Sequence, residues 1–182
     1  MSYKDYIIEV PNFPIKGVNF KDISPLLADQ ETFRSAIVEM GDLVGKVPDY
    51  WIGIDARGFI FASALAVYFG GGVVMCRKKG KLPPPVVSES YSLEYDTSTL
   101  EMKDGIPDGN KGTAVIVDDV LATGGTLMAV NQLCEEAGYE IAGNLVLVDL
   151  EYVPRVVKKW PQNKKDFDLE VKSLVKYGKE LG

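Results

Sequence analysis

Histidine is absent from all 182 residues. That absence excludes Ser-His-Asp and Cys-His nucleophilic machinery and most zinc hydrolases, and it leaves Asp, Glu, Lys and Tyr for proton transfer. Cysteine is nearly absent: Cys76 and Cys134 are the only two, far apart and without CxxC spacing. Neither a disulfide framework nor a zinc site is expected from them, and both read as buried hydrophobes. No apolar run approaches the roughly 18 residues that span a bilayer. The start MSYKDYIIEV lacks the basic beginning and long apolar core of a secretory signal, so the expected location is cytoplasmic and no membrane partner is expected. Positive charge is also scarce, with 20 Lys and Arg against 26 Asp and Glu and a net charge of −6. This argues against a nucleic-acid partner held by general phosphate neutralisation. An anionic ligand must find a local basic patch. Finally, neither GxxxxGK[ST] nor GxGxxG occurs, which removes the Walker and dinucleotide fingerprints.

What remains is a chain that is 46% hydrophobic, with β-rich and helical runs in alternation and no repeat or low-complexity linker. Residues 1–182 read as one α/β domain. From Asp29 to Val47, Phe33, Ala36, Ile37, Met40, Val44 and Val47 recur at three- and four-residue spacing, which predicts an amphipathic helix capped by Asp29. YWIGID (50–55) reads as a buried strand. GFIFASALAVYF (58–69), apolar nearly all round, reads as a buried helix stopped by Gly70-Gly71-Gly72, with VVMC (73–76) as the next strand. TAVIVDD (113–119) and GNLVLVDL (143–150) are Val-rich strands, and Gly124 to Ala137 supplies a crossover helix closing at Gly138. Such alternation predicts a mostly parallel sheet flanked by helices, with ligands at the carboxyl ends of its strands.

Two loops fall at those ends. In VIVDDVLATGGT, Ala122, Thr123, Gly124, Gly125 and Thr126 open a helix, where N–H groups and the helix dipole favour a phosphate. Asp118 and Asp119 stand just upstream, where direct contact with that phosphate is repulsive. A sugar phosphate satisfies both halves, its phosphate in the threonine–glycine turn and its diol on the acids. A capped, solvated strand-to-helix turn is the plain alternative, and an acidic Mg²⁺ pocket of the phosphatase or receiver type leaves the TGGT unexplained. Asp55-Ala56-Arg57-Gly58 places Arg57 as a candidate bidentate phosphate clamp. A third cluster, Arg77-Lys78-Lys79-Gly80-Lys81, gathers cations on an acidic protein, and together the three favour a polyanion with two phosphate-bearing ends. The excursion from Lys81 to Gly112 reads as a β-hairpin lid, with Glu94 flanked by Tyr91, Leu93 and Tyr95.

VIVDDVLATGGT resembles the phosphoribosyl pyrophosphate motif of type I phosphoribosyltransferases, and its ATGGT ending is similar to that of the adenine phosphoribosyltransferases. PNFPIKGVNFKDISPLL, GIDARGFIFASALA, RKKGKLP, ESYSLEY and VKSLVKY follow that family in order and spacing. The resemblance implies the type I phosphoribosyltransferase fold, with a flexible lid over 77–112 and a small hood from residues 1–28 that contributes to the base pocket. The implied reaction is adenine plus phosphoribosyl pyrophosphate to AMP and pyrophosphate. Other bases, namely hypoxanthine, xanthine or orotate, and a non-catalytic regulator are the alternatives. By the same resemblance Asp118 and Asp119 hold the ribose hydroxyls, residues 122–126 hold the 5′-phosphate, and Arg57 binds pyrophosphate together with Mg²⁺, which the substrate mainly holds. The basic run with Arg77 and Lys81 faces polyanionic substrate, and Lys78 reaches the neighbouring subunit's site, which implies a homodimer. Phe20 stacks on the purine, with main-chain groups of Asn19 and Lys21 and the side chain of Val120 lining the base pocket. Glu94 manages the proton on the purine, and Tyr95 orients it or covers the site. Lys21 stands where the family usually has arginine, and Asn19 where it is usually apolar.

Overall fold

The computed structural model describes residues 2–92, 97–104, 112–155 and 169–178. A single 3-10 turn (Tyr3–Tyr6) leads into β1 (Ile8–Pro11), β2 (Asn19–Asp22), α1 (Ser24–Ala28) and α2 (Gln30–Val44). Then come β3 (Tyr50–Ile54), α3 (Gly58–Phe69), β4 (Gly72–Lys78), β5 (Val86–Ser92) and β6 (Thr97–Lys103). The described chain closes with β7 (Thr113–Leu121), α4 (Gly125–Glu136), β8 (Glu140–Leu150) and β9 (Val171–Tyr177). β1 and β2 form a separate antiparallel pair, while the other strands make one seven-stranded sheet in the order β5-β6-β4-β3-β7-β8-β9. From β4 to β9 every neighbouring pair is parallel; β6 runs antiparallel to both β4 and β5.

The central strands are apolar on both faces because both faces are covered. On one, Ala114 and Ile116 of β7 pack with Leu127, Val130 and Leu133 of α4. On the other, Val115 and Val117 pack with Phe61 and Leu65 of α3 and Ile37 and Met40 of α2. Trp51 is almost fully buried and donates its indole N–H to the Gly70 carbonyl at 2.9 Å, tying β3 to the end of α3. Asn131 of α4 donates to Asn144 Oδ1 of β8 at 2.7 Å and to the Leu127 carbonyl at 2.8 Å, so α4 is pinned by a satisfied buried polar pair.

Periodicity located α2 well: Asp29 caps it by accepting from the Thr32 N–H at 2.8 Å. The helix stops at Val44 rather than Val47, because Gly45 turns the chain at φ 82°. β7 continues to Leu121, past Asp119, because its ladder with β8 holds through Leu121 and Asp149. β1, β2 and β9 carry no clear periodic signal, being short or half-exposed. The roots of the 81–112 excursion are the edge strand β5 and its neighbour β6 in the main sheet, with Leu100 and Met102 of β6 in the core.

α3 corrects an expectation. It is not buried all round: Val67 is 89% exposed, and Tyr68 and Ile60 are open as well. The helix seats only one face, where Gly53 of β3 lets Ala62 and the Gly58–Phe59 backbone approach to about 3 Å of where a side chain would begin. Val73 and Met75 of β4 are exposed too, and both Cys76 and Cys134 are buried as expected. Among the described residues no helix is long and apolar enough to cross a membrane.

Candidate active site

The carboxyl ends of β3 and β7 lie side by side in parallel register, so the loops that follow them converge. After β7, Gly124 adopts the left-handed conformation at φ 87° and α4 starts at Gly125 without a side-chain cap. Only glycine takes that backbone without strain. The turn and first residues of α4 line a cleft with Asp118, Val120, Leu121, Ala122, Thr123, Gly124, Thr126, Leu127 and Val146. A helix N-terminus there leaves its first N–H groups without intrahelical partners and presents the positive end of the dipole, the chemistry of an anion cradle.

The two acids have different surroundings. Asp118 lines the cleft with the turn that opens α4, whereas Asp119 is turned to the arginine of the β3–α3 loop. Asp119, buried to 4% exposure, accepts a charge-assisted hydrogen bond from Arg57 Nε. Asp118 Oδ1 accepts the Asp119 N–H at 2.9 Å. Desolvation, reinforced by the neighbouring Asp119 charge, holds the Asp118 carboxyl well above the ordinary aspartate value of 3.8. Gly58 makes this closeness possible: a Cβ there would lie 2.6 Å from the Val117 carbonyl and 3.2 Å from Asp118 Oδ1. The first turn of α3, which follows Arg57, therefore rests directly on the end of β7.

Arg57 also lies over the Phe20 ring, 5.2 Å from its centroid, and Phe13 meets Phe20 edge-on at 5.3 Å. The β2 aromatic, the β3–α3 arginine and the β7 acid are thus in one place. Asn19 and Lys21 flank Phe20 but send their side chains to the other face of the hairpin, where both bond Glu9 at 2.7 and 2.6 Å. Any reading of a ligand by these two residues on the Phe20 side is left to main chain. Val120 is half-buried beside the cleft.

The basic run sits farther along the strand ends. Arg77 Nε donates to Asp55 Oδ2 at 3.2 Å, its Nη1 to the Lys81 carbonyl at 3.3 Å, and its guanidinium lies over Phe59. The loop is pinned by buried Glu101, which accepts the Gly80 N–H at 2.9 Å. Lys78 and Lys81 are exposed on it. Glu94 and Tyr95 lie outside the described residues.

One residue and one pairing escaped the reading of motifs. Arg155, in the loop after β8, donates to the Ala122 carbonyl and to Asp149, bracing the cradle from behind. Asp55 holds Arg77. Both stand just after buried strands, the position where ligand-end residues of an open parallel sheet occur, and that was the available signal.

Comparison with known proteins agrees with this geometry. A family model described as a phosphoribosyl transferase domain matches residues 30–173. An adenine phosphoribosyltransferase of Kosmotoga olearia is 43% identical over 180 residues, which are 97% of this chain and 100% of that one. The crystal structure of adenine phosphoribosyltransferase from Thermoanaerobacter pseudethanolicus superposes with a TM-score of 0.85 at 37% identity, covering 96% of this chain and 98% of the other. The Giardia lamblia enzyme, solved with 9-deazaadenine, gives a TM-score of 0.82 at 34% identity over 97% and 98% of the two chains.

Proposed function

Since the chain belongs to the phosphoribosyl transferase family, we propose that it transfers the 5-phosphoribosyl group of phosphoribosyl pyrophosphate to adenine, giving AMP and pyrophosphate for purine salvage. The observation that carries the reading is Arg57, which joins Asp119 on β7 to the Phe20 ring on β2. One side chain links a sugar-phosphate seat to a flat apolar surface suited to a purine. The names of the relatives, all adenine phosphoribosyltransferases, support adenine as that purine.

In this mechanism residues 122–126 receive the 5′-phosphate at the start of α4. Asp118 and Asp119 accept hydrogen bonds from the ribose hydroxyls. Their negative charge would stabilise the oxocarbenium-like character that develops as the C1′–oxygen bond breaks, so it is most useful in the transition state. Arg57 exchanges its partner Asp119 for the pyrophosphate oxygens or spans both. Mg²⁺ held by the substrate would supply charge neutralisation on the leaving pyrophosphate, beside Arg57. The oxygen donors at the strand ends suit such a hard cation, reached through substrate or water. The role of Glu94 in moving the purine proton rests on the SYSLEY motif alone.

The open apolar face of α3 and β4, with Val67, Tyr68, Val73 and Met75, supports a homodimer that buries it. Lys78, on the same β4, would then face the neighbour's site. Light scattering on wild type and on Val67→Glu tests this: a monomeric wild type refutes it.

The activity is tested by incubating the protein with phosphoribosyl pyrophosphate, Mg²⁺ and adenine, hypoxanthine, xanthine or orotate in turn, and measuring nucleotide and pyrophosphate. Adenine is expected to dominate. Turnover with another base but not adenine would replace the substrate, and absence of turnover with any base would overturn the reading.

A further inference from the structure

Lys21 is a charged side chain with 2% exposure, which carries a large desolvation cost unless its surroundings replace water. Its ammonium lies 2.6 Å from Glu9 Oε2, directly across the β1–β2 ladder. It also lies 4.2 Å from the centroid of Tyr177, the last residue of β9, and 5.8 Å from that of Tyr152 in the turn after β8. Anion on one side and ring faces on the other make a cage for a cation. The cage joins two otherwise separate sheets: β1 and β2 make no ladder with the seven-stranded sheet. Phe20 is the next residue along β2 and points to the opposite face, toward Arg57.

We propose that Lys21 is a positioning residue for the base: its caged ammonium clamps the hairpin onto the ends of β8 and β9 and so fixes the height of Phe20 and the β2 main chain over the base. The inference rests on the reading of the site as a base phosphoribosyltransferase. Its role differs from that of a base-contacting side chain, because the ammonium sits behind the strand that faces the base. It also differs from a general stability role, because the parts it holds belong to one substrate only.

The test is steady-state kinetics with base and phosphoribosyl pyrophosphate varied separately, on wild type, Lys21→Met, Lys21→Arg and Tyr177→Leu. Lys21→Met is expected to raise the KM for the base about tenfold, the scale of a desolvated cation–ring contact, while kcat and the KM for phosphoribosyl pyrophosphate change less than about twofold. Lys21→Arg should return most of the base affinity, since a guanidinium serves the same anion and rings. Tyr177→Leu should reproduce the same one-sided loss, and it carries the test if Lys21→Met does not fold. Equal changes in both KM values, a fall in kcat alone, or no change in either variant would overturn the clamp. Wild type supplies the control: the split is read on whichever base it turns over, and failure to use any base would overturn the functional reading and the clamp with it.

Discussion

At the sugar-phosphate end, Asp118, Asp119 and the turn that follows grow out of β7, nine residues long and laddered to the eleven-residue β8 through Leu121 and Asp149. At the proposed base end, Asn19, Phe20 and Lys21 sit on a four-residue strand whose only ladder partner among the described residues is another four-residue strand. A two-stranded ribbon of that size has little stability of its own. Backbone hydrogen bonds through the middle of the sheet therefore place the first half, and a few side chains, Lys21 among them, place the second. One half is expected to respond to substitution through phosphoribosyl pyrophosphate and the other through the base.

The largest effect that would break or support this division is at Asp119. Asp119→Asn removes the charged partner of Arg57 and, on the proposed mechanism, a charged acceptor for ribose. A charge-assisted bond contributes about 1.5–3 kcal/mol, so kcat/KM for phosphoribosyl pyrophosphate should fall about 100-fold, with the KM for base altered little. A loss carried mainly by the base would mean that the two halves are not separately anchored.

Gly58→Ala probes the same half through packing. The new methyl would meet the Val117 carbonyl, a backbone atom that cannot swing away. Overpacking of this kind costs about 1–3 kcal/mol, which calorimetry or chemical unfolding would register. The displaced start of α3 should also weaken phosphoribosyl pyrophosphate binding several-fold. A variant as stable as wild type would show that the contact between α3 and β7 is slack.

Phe20→Ala is the matching probe of the base half. Ring-on-base stacking contributes about 1–3 kcal/mol, so the KM for adenine should rise about tenfold while that for phosphoribosyl pyrophosphate holds. The same steady-state kinetics serve all three variants, and a rise in both KM values after Phe20→Ala would break the comparison from its other side.

The same division explains what could be read before the structure. The core half was legible because long buried strands and a capped, periodic helix leave strong local patterns: Asp29 before α2, Gly70 after α3, and Val-rich β7 and β8 each stood where periodicity put them. The acids and the glycine-threonine turn followed as a motif. The pairing of Arg57 with Asp119 was not legible, because it joins residues far apart in sequence. The hood was legible only by resemblance. Its strands are short and exposed, and its attachment depends on Tyr152 and Tyr177, distant residues with no local pattern toward Lys21. α3 misled because an all-apolar helix reads as buried whether its outer face meets its own chain or another surface.

The smallest effect concerns Asp118 and is visible in stability without substrate. Its carboxyl is held well above 3.8 by desolvation first and by Asp119 second, so the native state keeps this proton to higher pH than the unfolded chain does. Stability from this group is fully present below about pH 3.8 and is lost as pH rises through the native value. Asp118→Asn has no proton to lose, and its amide oxygen still accepts the Asp119 N–H. The melting temperatures of variant and wild type should therefore coincide in acid and diverge upward in pH, the variant ending a few degrees higher at neutrality while binding phosphoribosyl pyrophosphate less well. Because Glu9, Asp29 and Asp49 titrate alike in both proteins, their contributions cancel in the difference, and a gap that stayed constant with pH would point to packing rather than to the buried charge. A pH-dependent gap would mean that the sugar-phosphate half, for all its rigid framing, holds an unfavourable charge in the free enzyme that ribose hydroxyls relieve on binding, a conflict with no counterpart at Lys21, where the buried charge is already matched.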